Sequence, residues 1–167
     1  LLVNSNFTLQ TFQRTFPSLQ SHNLGVLYPP LYTTNMTQPN QEPKTRHSPL
    51  VSLNRFERKK NIQLLIHAYA YLQKTYYDNQ KTMPPLIIAG GYDTKNVENV
   101  EYRGELQRLG EELEVTVDFR LDITDPERAT LFQRALCVVY TPDKEHFGIV
   151  PLEAMYAGTP VLAVNSG

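Results

Sequence analysis

"LCVVYTPDKEHFGIVPLEAMYAGTPVLAV" spans Leu136 to Val164. Its first five residues, Leu136–Tyr140, form a short apolar run that predicts a strand. A polar loop follows, with Glu145 and His146 ahead of Phe147 and Gly148. Pro151 suits the first turn of a helix, which is predicted over Val150–Ala157. Val161–Val164 is apolar again and reads as a second strand. Strand, loop, helix, strand in 29 residues is the compact unit of a parallel sheet.

The same alternation runs back toward the N-terminus. Leu50–Leu53 is a short apolar strand. Asn61–Tyr76 places Ile62, Leu65, Ile66, Tyr69 and Leu72 on one helical face. Pro84–Ala89 is a continuous apolar strand closed by Gly90-Gly91. Glu98–Leu113 is a charged surface helix, and Val115, Val117 and Phe119 alternate as in a strand. Thr124-Asp125-Pro126-Glu127 is a helix start with a capping side chain, a proline in the first turn and an acid behind it. That helix is expected to end near Arg134. Continuous apolar strands alternating with helices predict an α/β fold, a Rossmann-like parallel sheet with helices on both faces. Ligands in such sheets bind outside the carboxyl ends of the strands. The segments to inspect are therefore 54–60, 90–93, 120–124 and 141–148.

The first 49 residues are less regular. Leu1–Val3 reads as the end of a strand, Thr8–Phe16 as a short helix, and Val26–Tyr28 as a strand stopped by Pro29-Pro30. Thr33–Pro49 is polar and aperiodic, as expected of a linker. Residue 1 is not Met and both ends cut into apparent elements, which predicts a piece of a longer protein.

Composition narrows the function. The chain has 167 residues, 41% of them hydrophobic, with ten Tyr and seven Phe, enough for a core. Its formal net charge of −1 gives no basis for nonspecific nucleic-acid binding. The single cysteine, Cys137, lies in an apolar run and reads as a small core residue, so no internal disulfide forms. No run approaches the roughly 18 apolar residues of a membrane span.

Two segments can carry chemistry. "NRFERKKN", Asn54–Asn61, follows a strand and precedes a helix. Arg55 offers a planar fork to phosphate oxygens and Lys60 a compact charge. Cations at a helix N-terminus oppose the macrodipole, so an anion is expected to compensate Arg58, Lys59 and Lys60. A solvated basic turn beside Glu57 accounts for the same charges. In the opening stretch, Phe147, Gly148, Ile149 and Val150 offer no capping side chain, so the first N–H groups of the helix lack a local partner. Such groups beside a glycine make an anion site. Glu145 in the loop and Glu153, placed by the sequence in the first helical turn, are acceptor-only groups suited to sugar and ribose hydroxyls. A solvated loop acid and a dipole-complementing acid are their plainer readings. Gly90-Gly91 permits a tight turn or a close ligand approach. The histidines show no ligand spacing, and there is no Asp-x-Asp pair for a nucleotide-bound cation.

Arg55 with Lys60, then Gly90-Gly91, then Glu145 and Glu153 around "FGIVPLEAMYAGTPVLA", resemble the donor-binding domain of the retaining GT-B glycosyltransferases of family 4. The match runs in order from about Leu50 to Gly167. "NSNFT", "VLYPP", "RFERKKN" and "EHFGIVPLEAM" resemble most the members that build the dolichol-linked oligosaccharide for asparagine-linked glycosylation, by α-1,3 and α-1,6 mannosylation. The resemblance implies that residues 1–46 are the end of an N-terminal acceptor domain plus linker. Residues 47–167 are then the nucleotide-sugar-binding domain, truncated at its C-terminus, so the chain is an incomplete donor-binding half.

It further implies that Arg55 and Lys60 bind the donor diphosphate and stabilise the leaving group, and that Glu145 contacts the transferred sugar. Glu153 contacts the ribose, and the backbone from His146 through Phe147, Gly148, Ile149 and Val150, with Gly90 and Gly91, lines the donor site. The implied donor is GDP-mannose, with no cofactor and no metal. The implied acceptor is a dolichol-linked oligosaccharide at the cytosolic face of the endoplasmic reticulum membrane, with membrane attachment outside this chain. His146 departs from the Gly or Pro common in the wider family and marks the subfamily. The chain is expected to be inactive alone, and the sequons at Asn6 and Asn35 to stay unmodified. Another family-4 hexosyltransferase using a UDP- or ADP-sugar, a sugar-nucleotide epimerase, and a non-catalytic nucleotide-binding fragment remain alternatives.

Overall fold

The computed structural model describes residues 1–19, 23–31, 43–76 and 83–166. Most of the expected linker, the sequon at Asn35, His22 and Gly167 lie outside the described residues. The elements run β1 (Leu2–Val3), α1 (Asn6–Thr15), β2 (Gly25–Val26), β3 (Leu50–Leu53), α2 (Ile62–Tyr76), β4 (Leu86–Gly90) and α3 (Val97–Glu112). Then follow β5 (Val117–Leu121), α4 (Asp125–Arg134), β6 (Cys137–Tyr140), α5 (Ile149–Tyr156) and β7 (Val161–Ala163).

Five strands form one parallel sheet in the order β5-β4-β3-β6-β7. After the separate parallel pair β1-β2, the chain enters this sheet at its centre with β3, builds outward through β4 and β5, and crosses back over α4 to add β6 and β7 on the other side of β3. The order therefore reverses between β3 and β6, which leaves a crevice at their carboxyl ends.

The sequence pattern explains why this sheet is covered twice. In β4, Leu86 and Ile88 pack with Ile62, Leu65 and Ile66 of α2 and with Tyr102 and Leu106 of α3. The alternate residues Ile87 and Ala89 join Leu131 and Phe132 of α4 and Ala154 of α5 on the opposite face. A strand whose successive side chains both meet helices must be apolar throughout, and β4 is buried over its whole length. Cys137, at the amino end of β6, pairs with Leu50 and is only half-buried. Burial still pushes its thiol above the usual range.

Local chemistry sets the boundaries. The Thr124 side chain accepts from the Glu127 N–H while Glu127 reaches back to the Thr124 N–H, the capping box expected for α4. Those hydrogen bonds hold the Glu127 carboxyl below its ordinary range. Helix α1 starts two residues before the predicted Thr8, because the Ser5 side chain accepts from the Thr8 N–H and caps it. Strand β2 stops at Val26, short of the predicted Tyr28. The Leu27 N–H still reaches the Val3 carbonyl at 2.8 Å, but β1 turns into the α1 cap there and offers no further partner.

Gly90 answers the question raised by the glycine pair. A Cβ built on it would stand 1.8 Å from the Asn54 carbonyl oxygen. The Asn54 N–H donates to Ala89 at 3.0 Å, and the Phe56 N–H donates to Gly91 at 3.4 Å. Glycine here lets the segments leaving β3 and β4 run side by side past the sheet edge.

Candidate active site

Arg55 and Lys60 leave the carboxyl end of β3 in a loop and a short 3-10 turn, Arg58–Lys60, ahead of α2. Glu145 leaves β6 in the loop ahead of α5. They meet across the switch point, in a cleft of about 460 Å³ whose wall includes Arg55, Lys60, Tyr140 and Glu145 together with residues 146–150. Asn4 and Pro29, from the N-terminal segment, close its far side.

The expected need for compensating anions is met largely from within the chain. Arg58 is held by Glu101 at 3.2 Å and Glu105 at 2.7 Å on α3, and its N–H donates to Glu98. These carboxylates, Glu105 foremost, keep its guanidinium charged to still higher pH. Lys59 pairs with Glu57 at 3.0 Å. The start of α2 is capped by a side chain distant in sequence: the Tyr102 hydroxyl accepts from the Ile62 N–H at 2.8 Å. Arg55 is different. Among the described residues its one ion pair, to Glu57, is 3.8 Å long, and its side chain, 75% exposed, lines the cleft.

Lys60 and Glu145 form a close ion pair, Nζ to Oε2, both partly buried. The Tyr140 hydroxyl donates to the same oxygen at 3.3 Å. Burial opposes ionisation of Glu145, but Lys60 and Tyr140, with the His146 backbone, outweigh it and hold the carboxyl below its usual range. Tyr140 moves the other way: burial and the neighbouring charge push its phenol well above the ordinary value. The Lys60 backbone is fixed too, because the Thr141 hydroxyl donates to its carbonyl at 2.7 Å.

Helix α5 begins at Gly148 with no side-chain cap, as its sequence predicts. Gly148 is left-handed, φ 73°, and a Cβ there would stand 3.3 Å from the Tyr140 ring and hydroxyl. Ile149 and Val150, the first residues of this uncapped helix, line the cleft that holds Arg55 and Lys60.

Glu153 lies elsewhere. It is the fifth residue of α5, so it sits in the second turn and not the first, and it does not line the cleft with Glu145. Its dipole-complementing role falls with that position. It is 7% exposed, between α5 and α4, with Arg128 at 3.5 Å from Oε1. Its buried Oε2 has no hydrogen-bond partner among the described residues. Burial raises its pKa; Arg128 opposes the shift and Asp125 adds to it.

His146 is exposed and faces the N-terminal segment: Nδ1 is 3.0 Å from the Thr8 hydroxyl, and Phe7 meets the ring edge-on at 5.7 Å. Phe147 contacts Tyr28 at 5.9 Å. Gly91 lies beside the Arg55 side chain. Sequence reasoning missed Tyr140, Thr141 and Tyr102. Tyr140 and Thr141 were findable, since they end a strand at the ligand edge. Tyr102 was not, because nothing local ties α3 to the start of α2. Among the described residues no three His, Cys, Asp or Glu side chains cluster as a metal site, and no helix is long and apolar enough to cross a membrane.

Comparison with known proteins gives one consistent picture. The chain is 42% identical over its whole length to the alpha-1,3/1,6-mannosyltransferase ALG2 of Homo sapiens, and covers 42% of that protein. It is 37% identical, again over its whole length, to ALG2 of Saccharomyces cerevisiae, of which it covers 38%. It thus spans about four-tenths of the length of these relatives. In structure it matches sucrose-phosphate synthase of Thermosynechococcus elongatus with a TM-score of 0.79 and 25% identity, over 99% of this chain and 40% of that one. Residues 35–167 match the profile of the glycosyl transferases group 1, and the chain belongs to that family.

Proposed function

We propose that this chain is the donor-binding part of an enzyme that transfers mannose from GDP-mannose to a dolichyl-pyrophosphate-linked oligosaccharide, forming α-1,3 and α-1,6 bonds. The observation that carries the reading is the uncapped start of α5 facing the same cleft as Arg55 and Lys60. Two cations and an uncapped helix start at a sheet's ligand edge suit a diphosphate. The alpha-1,3/1,6-mannosyltransferase names of relatives at 37–42% identity support the choice of sugar and linkages.

In this reading Arg55 and Lys60 neutralise the charge that gathers on the leaving diphosphate, and the N–H groups of Ile149 and Val150 hold its oxygens. Glu145 accepts hydroxyls of the transferred mannose. The ribose contact that the resemblance implies for Glu153 is left out of this reading, because Glu153 is buried against α4 and does not line the cleft. The bond between the anomeric carbon and the diphosphate oxygen breaks, and GDP leaves with the electron pair. An acceptor hydroxyl bonds to that carbon, and its proton is released with GDP. The fixed cations take the place of a divalent ion. Residues 1–46 belong to the acceptor side and its linker, and 47–167 to the donor domain. The site of action is the cytosolic face of the endoplasmic reticulum membrane.

The test is thermal unfolding of the full-length protein with GDP-mannose, GDP, UDP-glucose and UDP, with and without EDTA. A ligand at 100 times its Kd stabilises the folded state by about 2.7 kcal/mol. The expected result is a shift with the GDP compounds alone, unchanged by EDTA. A shift with UDP compounds would assign a different hexosyltransferase, and no shift with any of the four would leave a non-catalytic fold.

A further inference from the structure

We propose that Tyr140 is a positioning residue: its hydroxyl keeps Glu145 aimed at the sugar when Lys60 turns from Glu145 to the donor diphosphate. This rests on the assignment of Glu145 to the transferred sugar.

Two donors, the Lys60 ammonium and the Tyr140 hydroxyl, converge on one oxygen of Glu145. The lysine, as the cation of the two, is the donor that a diphosphate draws more strongly, and it lines the cleft where that group would lie. A bound diphosphate therefore competes with Glu145 for Lys60. Without a second anchor, a carboxylate on a loop would swing once its cation was shared.

Tyr140 is placed to be that anchor. It is the last residue of β6, so its backbone is fixed by pairing with Ala163 on β7 and by the Val164 N–H bonding to its carbonyl at 3.2 Å. It is 8% exposed, with its hydroxyl 3.3 Å from Oε2. Its ring lies against Gly148, where a Cβ would stand 3.3 Å from the ring and the hydroxyl, so the phenol packs on the N-cap of α5. Because its pKa is raised, the phenol stays protonated and remains a donor. A strand-borne hydroxyl does not have to move when the donor arrives, which is what holding a loop-borne carboxylate in place requires.

The experiment measures GDP and GDP-mannose affinity in full-length wild type, Tyr140→Phe, Glu145→Gln and the double variant. Tyr140→Phe keeps the ring against Gly148 and removes only the hydroxyl. GDP affinity should be unchanged, which also reports an intact cleft. The ratio of GDP-mannose to GDP affinity should fall roughly tenfold, the scale of one lost hydrogen bond to a charged group. Glu145→Gln should lower the ratio likewise, and the double variant should fall no further than the lower single. Tyr140→Leu, which also lacks the hydroxyl, must show the same ratio as Tyr140→Phe. A ratio retained in either Tyr140 variant while Glu145→Gln loses it overturns the positioning role alone, as do losses that add in the double variant. A ratio retained in Glu145→Gln overturns the sugar contact, and the positioning role with it.

Discussion

Lys60 and Arg55 carry the same formal charge but stand in different surroundings, and substitution separates them. Arg55 is 75% exposed and loosely paired, so Arg55→Ala should leave stability unchanged. Lys60 and Glu145 are 16% and 27% exposed, and removing the lysine leaves a shielded carboxylate without its cation. Lys60→Ala should lower the melting temperature where Arg55→Ala does not, and each should weaken GDP binding by about 1.5–3 kcal/mol. Calorimetric titration beside a melting curve checks both halves, and equal melting temperatures would contradict the pairing. Glu153 adds a pH dependence of its own. Burial raises its pKa, so the folded chain keeps that proton to higher pH than the unfolded chain. Its contribution to stability is full below the ordinary carboxylate range and is lost as pH rises through the raised value. Glu153→Gln removes the loss. It should be more stable than wild type at neutral pH, with the difference gone in acid, as urea unfolding at several pH values would reveal.

At the scale of elements, the turns that shape the cleft depend on two glycines in different ways. An alanine at 90 would drive its Cβ into backbone, which cannot yield as a side chain can, while one at 148 meets a tyrosine ring in a left-handed conformation. Gly148→Ala should cost about 1–3 kcal/mol and Gly90→Ala more than that. Comparable denaturation midpoints for the two would refute the ordering. Why the elements were so legible follows from the same physics. The apolar runs at 50–53 and 86–90 can only be buried strands, and Thr124 with Glu127 can only open a helix, so periodicity and capping located them within one or two residues. The short N-terminal strands were less legible, because a two-residue pairing is set by its partner and not by its own pattern. In the cleft, the loop cations, the loop acid and the uncapped helix could be read from spacing. The helical start could not: Ile149 opens α5 ahead of Pro151, which moved Glu153 into the second turn and toward α4. The internal partners of Arg58 and Lys60 were hidden as well, since they lie 40 to 85 residues away in sequence.

For the whole molecule, the placement of the cleft matters more than its contents. Strand order reverses beside β3, the central strand of the sheet, so the cations and the glutamate are carried on loops rooted in paired strands. The N-terminal segment reaches the same loop through Thr8 on His146 and Tyr28 on Phe147, so movement of that segment is felt next to Glu145. Strand β6 joins two ends of this arrangement, with Tyr140 at the cleft and Cys137 at the opposite edge of the sheet. Cys137 is the chain's single thiol, half-covered and hard to ionise. That makes it a built-in clock: alkylation consumes the thiolate, so the reagent acts slowly while β6 is seated and fast once the strand detaches. Saturating GDP, bound a strand's length away, should slow the clock, and mass spectrometry would read the rate with no label or probe attached. An unchanged rate would mean that the cleft and the far edge of β6 open independently.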